Sequence, residues 1–133
     1  MAKATKAKQL TFSLATRVGL LSEISAAIAD AKVNVQSLCA YEAEKKAYFM
    51  LTADSVAKTK KAIAKFGADI KEKDVLCVEM ANKPGELQKV AKKLGDAGIN
   101  IIETYGSTGA GKSSTCIFYT ADINKAMRII NKQ

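Results

Sequence analysis

The 133 residues include no histidine and no tryptophan. Without histidine the chain lacks the commonest general base and the commonest metal ligand. Proline occurs once, at Pro84. Cysteine occurs three times, at Cys39, Cys77 and Cys116, each alone in an apolar stretch and never as C-x-x-C. This excludes a disulfide framework and a zinc ribbon, and it points to buried thiols in a reducing cytoplasm. No apolar run approaches the roughly 20 residues that span a bilayer, so no membrane partner is expected. The opening MAKATKAK is basic with no apolar segment behind it, which is not the pattern of a signal peptide. Acid is scarce: 13 carboxylate residues stand against 21 Lys and Arg, a formal charge of +8. Much of the lysine lies at Lys3, Lys6 and Lys8 and between Lys58 and Lys73. Solvated helix faces account for such runs, and attraction to a polyanion is the sharper reading. With no spaced metal ligands and no nucleophile elbow either, no enzyme, cofactor or metal is expected.

What is present is a repeat. Ala81 to Ile101, ANKPGELQKVAKKLGDAGINI, lies without a gap on Ala15 to Val35, ATRVGLLSEISAAIADAKVNV, at an offset of 66 (81 − 15). Six positions are identical: Ala15/Ala81, Gly19/Gly85, Leu21/Leu87, Asp30/Asp96, Ala31/Ala97 and Asn34/Asn100. Each copy reads as a glycine-bearing polar loop, an amphipathic helix, and a strand opening apolar-Asn-apolar. Two modules of about 65 residues follow, a size at which a lone core is marginal.

Residues 1–7 read as a loose tail. Leu10, Phe12 and Leu14 alternate with polar residues, which predicts a half-buried strand. Leu20, Ile24, Ala27, Ile28 and Ala31 have helical spacing. Val33–Tyr41 and Ala47–Thr52 predict a hairpin around the charged turn 42–46. Asp54 or Ser55 caps a second helix with Val56, Thr59, Ile63 and Phe66 inward, stopped by Gly67. A short fourth strand fits 68–73. The order is βαββαβ. The second copy runs from Val75, with a helix face of Leu87, Val90, Ala91 and Leu94 and a last helix burying Ile123, Ala126, Met127 and Ile130. It stops without a fourth strand, leaving an edge that another strand would cover. No Gly or Pro lies in 69–80, so the last strand of one module should run into the first of the next. The expected fold is therefore α+β: two tandem ferredoxin-like βαββαβ units with antiparallel sheets, residues 1–74 and 75–133, the second lacking its last strand.

The stretch Ala81-Asn82-Lys83-Pro84-Gly85-Glu86-Leu87, a helix, then Gly98-Ile99-Asn100-Ile101 resembles the ACT domain signature. The first copy, Arg17-Val18-Gly19-Leu20-Leu21 and Lys32-Val33-Asn34-Val35, lacks the signature's proline and second glycine. Nearly the whole chain, residues 8–131, resembles the small stand-alone tandem ACT proteins that carry no catalytic domain. That resemblance implies a non-catalytic regulatory protein that binds a free amino acid where domains pair, and a homodimer.

The residues themselves agree. Unpaired N–H groups at Gly19–Leu21 and Gly85–Leu87 sit at the positive helix end and suit a carboxylate. Asn34 and Asn100 offer donors and an acceptor for both charged ends of an amino acid. Arg17 and Lys83 add positive charge beside the loops. The bland reading is that the glycines shape tight loops and the asparagines cap turns. The candidate ligand-binding set is Arg17, Val18, Gly19, Leu20, Leu21, Asn34, Asn82, Lys83, Pro84, Gly85, Glu86, Leu87 and Asn100.

Gly106–Ser113 matches the phosphate-loop pattern G-x-x-x-x-G-K-S. Its lysine should open a helix, but Ser114–Thr120 is β-branched and aromatic, so a hairpin turn is the simpler account. Nucleotide binding there ranks last. A nucleic-acid partner ranks second, because the RNA-recognition fold shares this element order. That fold needs exposed aromatics on its central strands, where Phe12, Tyr48, Phe49 and Phe118 fall.

Overall fold

Alternation and helical spacing translate into the expected elements, with shifted ends. The computed structural model describes residues 2–107 and 110–132. Among these the order is β1 (Lys3–Ala15), α1 (Leu20–Asp30), β2 (Val35–Ala43), β3 (Lys46–Ala53), α2 (Val56–Ala64), β4 (Lys71–Ala81), α3 (Glu86–Asp96), β5 (Ile101–Ser107), β6 (Ser113–Thr120) and α4 (Ile123–Asn131). The class is α+β, in the ferredoxin-like pattern.

Two compact units form: Lys8–Lys73, and Asp74–Gln133 together with Met1–Ala7. In the first unit the strand order is β2-β3-β1, antiparallel, with Phe12 opposite Phe49 and Leu10 opposite Leu51. Those four side chains are buried with Leu20, Ile24 and Ile28 of α1 and Ile63 of α2. The two rings stack with centroids 5.0 Å apart. Ser55 caps α2 as expected: its side chain accepts from the Lys58 N–H at 3.2 Å. The β2–β3 turn is tighter than the charged stretch suggested, because Glu44 and Lys45 both take positive φ (51° and 67°).

The second unit corrects one expectation. Residues 3–7 are not a loose tail; Met1 lies outside the described residues. They open β1, and β1 lies beside β4, giving the order β1-β4-β6-β5. The edge left by the missing last strand is covered by the chain's own beginning. Ala4 is 3% exposed and packs with Leu76, Val78 and Phe118. Its N–H donates to Asn131 Oδ1 at 2.7 Å, and Asn131 Nδ2 donates back to its carbonyl at 3.0 Å. A side-chain amide thus serves as a strand partner would. From Lys71 onward the junction is one strand, β4 (Lys71–Ala81), as the absence of Gly and Pro suggested.

The face of α3 is a second correction. The buried positions are Glu86, Val90 and Leu94, spaced i, i+4, i+8, while Leu87 is 53% exposed. Apolar spacing alone selected Leu87, yet the helix turns a carboxylate inward instead.

Candidate functional site

Both helix starts share one backbone solution. Gly19 and Gly85 precede α1 and α3 in the left-handed region, with φ of 86° and 89°. A Cβ on either would meet nothing within 4 Å. The glycines are therefore required by backbone conformation, and the space over them is open. Neither helix has a side-chain cap, so the first N–H groups keep no side-chain partner.

At α3 this start borders a depression of about 220 Å³. Asn82, Lys83, Glu86 and Leu87 line it from the loop and helix, and Gly106, Ser107, Ser114 and Cys116 from the hairpin. The antiparallel register explains the meeting, since Ala81 stands opposite Ser113 and Met80 opposite Ser114. Asn82 fastens the two sides. Its N–H donates to the Lys112 carbonyl and its Nδ2 to the Gly111 carbonyl, both at 2.9 Å. The hairpin residues were invisible to local reading. The only signal pointing at them was the glycine-rich 106–113 run, whose residues 108 and 109 lie outside the described set. Lys112 leads into strand β6, not into a helix, so the geometry of a phosphate loop is not formed.

Glu86 is 8% exposed. Lys89 Nζ lies 2.9 Å from its Oε2, but off the hydrogen-bonding direction, so this buried oxygen receives no well-directed hydrogen bond. The Lys89 ammonium holds the Glu86 carboxyl below its ordinary value of 4.5, with burial opposing and Lys83 adding a smaller pull. A carboxylate depressed on folding contributes stability above its unfolded value and loses it as the pH falls through the folded one. The stability difference between the wild type and Glu86→Gln should thus fade as pH falls below about 4.5, the ordinary value. Carboxyl NMR titration checks this directly: Lys89→Ala should move the Glu86 midpoint upward, and an unmoved midpoint would remove Lys89 as the cause.

At α1 the chemistry differs. Arg17 is closed on Glu23, with Nε to Oε2 at 3.1 Å and Nη2 to Oε1 at 2.8 Å. The Arg17 guanidinium holds the Glu23 carboxyl down, and both groups are solvent-facing. Leu20 is buried, whereas Val18 is fully exposed and Leu21 is half exposed.

The asparagines do not join either helix start. Gly19 follows Ala15, which stands opposite Lys46, while Asn34 precedes Val35, opposite Ala53. Seven residue steps along β3 (53 − 46) separate those two points, about 23 Å at strand rise. The same holds for Gly85 and Asn100, because Ala81 faces Ser113 and Ile101 faces Thr120 at the two ends of β6. Within one unit, therefore, Asn34 lies at the opposite end of the sheet from Gly19, and Asn100 from Gly85. The Asn34 N–H is taken by Asp54 Oδ1 at 3.0 Å, and the Asn100 carbonyl accepts from Ala121 at 3.0 Å. Pro84 is exposed on the loop before Gly85.

No protein-family model matches the chain, and no curated protein matches it. Solved structures do. A Bacteroides thetaiotaomicron protein whose name states no activity superposes with TM-score 0.86 at 24% identity, over 95% of this chain and 87% of that one. The regulatory subunit of aspartate kinase from Thermus thermophilus, in a ligand-free form, superposes with TM-score 0.73 at 14% identity, over 97% and 93%. The chain has the tandem ACT fold. Aspartokinase III of E. coli, in complex with lysine and aspartate, matches 97% of this tandem ACT chain with TM-score 0.59 at 14% identity. The match takes up 31% of the kinase's own length. Among the described residues no helix is long and apolar enough to cross a membrane.

Proposed function

We propose that this tandem ACT protein is a non-catalytic regulator that binds a free amino acid at the loops opening its helices. The observation that carries the reading is the depression at the start of α3. Four residues singled out by the repeat, Asn82, Lys83, Glu86 and Leu87, line one cavity. Support also comes from a neighbour that is a regulatory subunit and from another bound to lysine and aspartate. Exposed apolar groups support a homodimer: Leu21 of α1 is 50% exposed and Leu38 of edge strand β2 is 42% exposed. A reducing cytoplasm suits three free cysteines, of which burial pushes the Cys77 and Cys116 thiols up and lowers their thiolate fraction.

The nucleic-acid reading loses three of its four platform aromatics, because Phe12, Phe49 and Phe118 are 3%, 2% and 1% exposed; the fourth, Tyr48, is half-buried and stacks on Tyr41 with centroids 5.2 Å apart. A thermal-shift screen of the standard amino acids, ATP-Mg and a short RNA tests the proposal. A ligand at about 100 times its dissociation constant adds about 2.7 kcal/mol, several degrees of melting temperature. The expected result is a shift with one or a few amino acids. A shift only with ATP-Mg or only with RNA would overturn the reading.

A further inference from the structure

The repeat builds two helix starts on one backbone and equips them differently. In the first unit the position after the glycine is Leu20, a core side chain 4% exposed. In the second it is Glu86, 8% exposed and bordering the depression of about 220 Å³. The cation three residues earlier also differs. Arg17 is closed on Glu23 by two hydrogen bonds. Lys83, its counterpart, lines the depression; its backbone N–H donates to the Ala81 carbonyl at 3.0 Å, and among the described residues its ammonium has no hydrogen bond or salt bridge, only the longer-range pull on Glu86. Among the described residues, only the helix start of the second unit places a buried carboxylate and an ammonium without a hydrogen bond or salt bridge on one cavity. Buried carboxylates are kept where they gain a partner, since burial alone opposes them. Lys89 is that partner at present, its own side chain 67% exposed against 10% for Glu86. The remaining wall is mixed and uncharged: Met80, Leu87 and Cys116 on its apolar part, Asn82, Ser107 and Ser114 on its polar part.

We infer that the second unit alone holds the amino acid, with Glu86 receiving its α-ammonium and Lys83 its α-carboxylate. The side chain then lies against Met80 and Cys116, which selects a short uncharged one. This rests on the amino-acid reading above and adds which unit binds, which residues bind, and what class of ligand.

The test is calorimetric titration of the full chain with L-alanine, L-serine, L-threonine and L-valine. Propionate and ethylamine, each lacking one charge, serve as competitors. At least one amino acid should bind, and neither competitor should displace it. Glu86→Gln keeps the shape and should weaken binding at least about tenfold, the size of one charge-assisted hydrogen bond. Lys83→Met, at an exposed position that does not threaten folding, should do likewise. Lys92→Ala, outside the site, should bind as the wild type does. Unchanged binding by Glu86→Gln, or loss on Arg17→Ala instead, overturns this assignment while leaving the amino-acid reading intact. Displacement by propionate or ethylamine alone overturns the two-charge recognition. Absence of binding by every amino acid, these four and the rest, is the separate result that overturns the functional reading itself.

Discussion

Ala4→Asp should cost the second unit about 3–5 kcal/mol, the scale of an uncompensated buried charge. Nothing about residue 4 in the sequence suggests a large effect, yet it lies in the core with Leu76, Val78 and Phe118. An aspartate there has no cationic partner in that cluster, so it must either stay protonated or pull the strand out. Loss of the strand would also free the backbone of Ala4 from Asn131 and uncover β4. An uncovered edge recruits other chains, so aggregation should rise with the loss of stability. Urea unfolding measures the cost, and hydrogen exchange of the β4 amides shows where it falls. Lys6→Asp, at an exposed neighbouring position, should stay within about 0.5 kcal/mol of the wild type. Equal effects at residues 4 and 6 would mean that the segment is not docked in solution.

The second large effect is expected at Gly106. Its φ is not positive, so the backbone would accept any residue. The restriction is space. A Cβ would collide with Cys116 Sγ and stand 2.9 Å from the Thr115 carbonyl oxygen and 3.0 Å from Cys116 Cα. Two of these three are backbone atoms of β6, which cannot yield without shifting the strand pair. Gly106→Ala should destabilise by about 1–3 kcal/mol, as overpacking does. Cys116→Ala removes the sulfur but leaves the backbone contacts, so the double variant should recover part of the loss and not all of it. The coupling in this cycle is the decisive quantity. Strict additivity would mean that the sulfur is not what excludes a side chain. Because Gly106 and Cys116 both border the depression at α3, ligand affinity should fall with the single variant as well.

Much of this was legible in the residues. Alternation at Leu10, Phe12 and Leu14 and helical spacing at Leu20, Ile24 and Ile28 report burial directly, because both periods are local consequences of backbone geometry. The repeat then placed the loops, helices and glycines in register, and Gly19 and Gly85 share one left-handed conformation. The strand at residues 3–7 was not legible. Ala4 is too small to mark a core position, and strand pairing needs only backbone groups that every residue has. The inward turn of Glu86 was hidden for a related reason. Leu87 is the more apolar neighbour, and the choice between them depends on what α3 packs against.

By itself, then, the sequence determined a βαββαβ unit followed by a second that lacks the last strand, their helix starts and the run from one unit into the next. Those features follow from periodicity, turn chemistry and chain connectivity, which act over a few residues. Only the tertiary structure decided the rest. It brought Ala4 to Asn131, 127 positions away, and the 106–116 hairpin to the loop before α3, and it held Asn34 and Asn100 far from the glycines. These are matters of strand register and edge pairing between distant segments, and no local pattern of side chains encodes which backbone edge meets which.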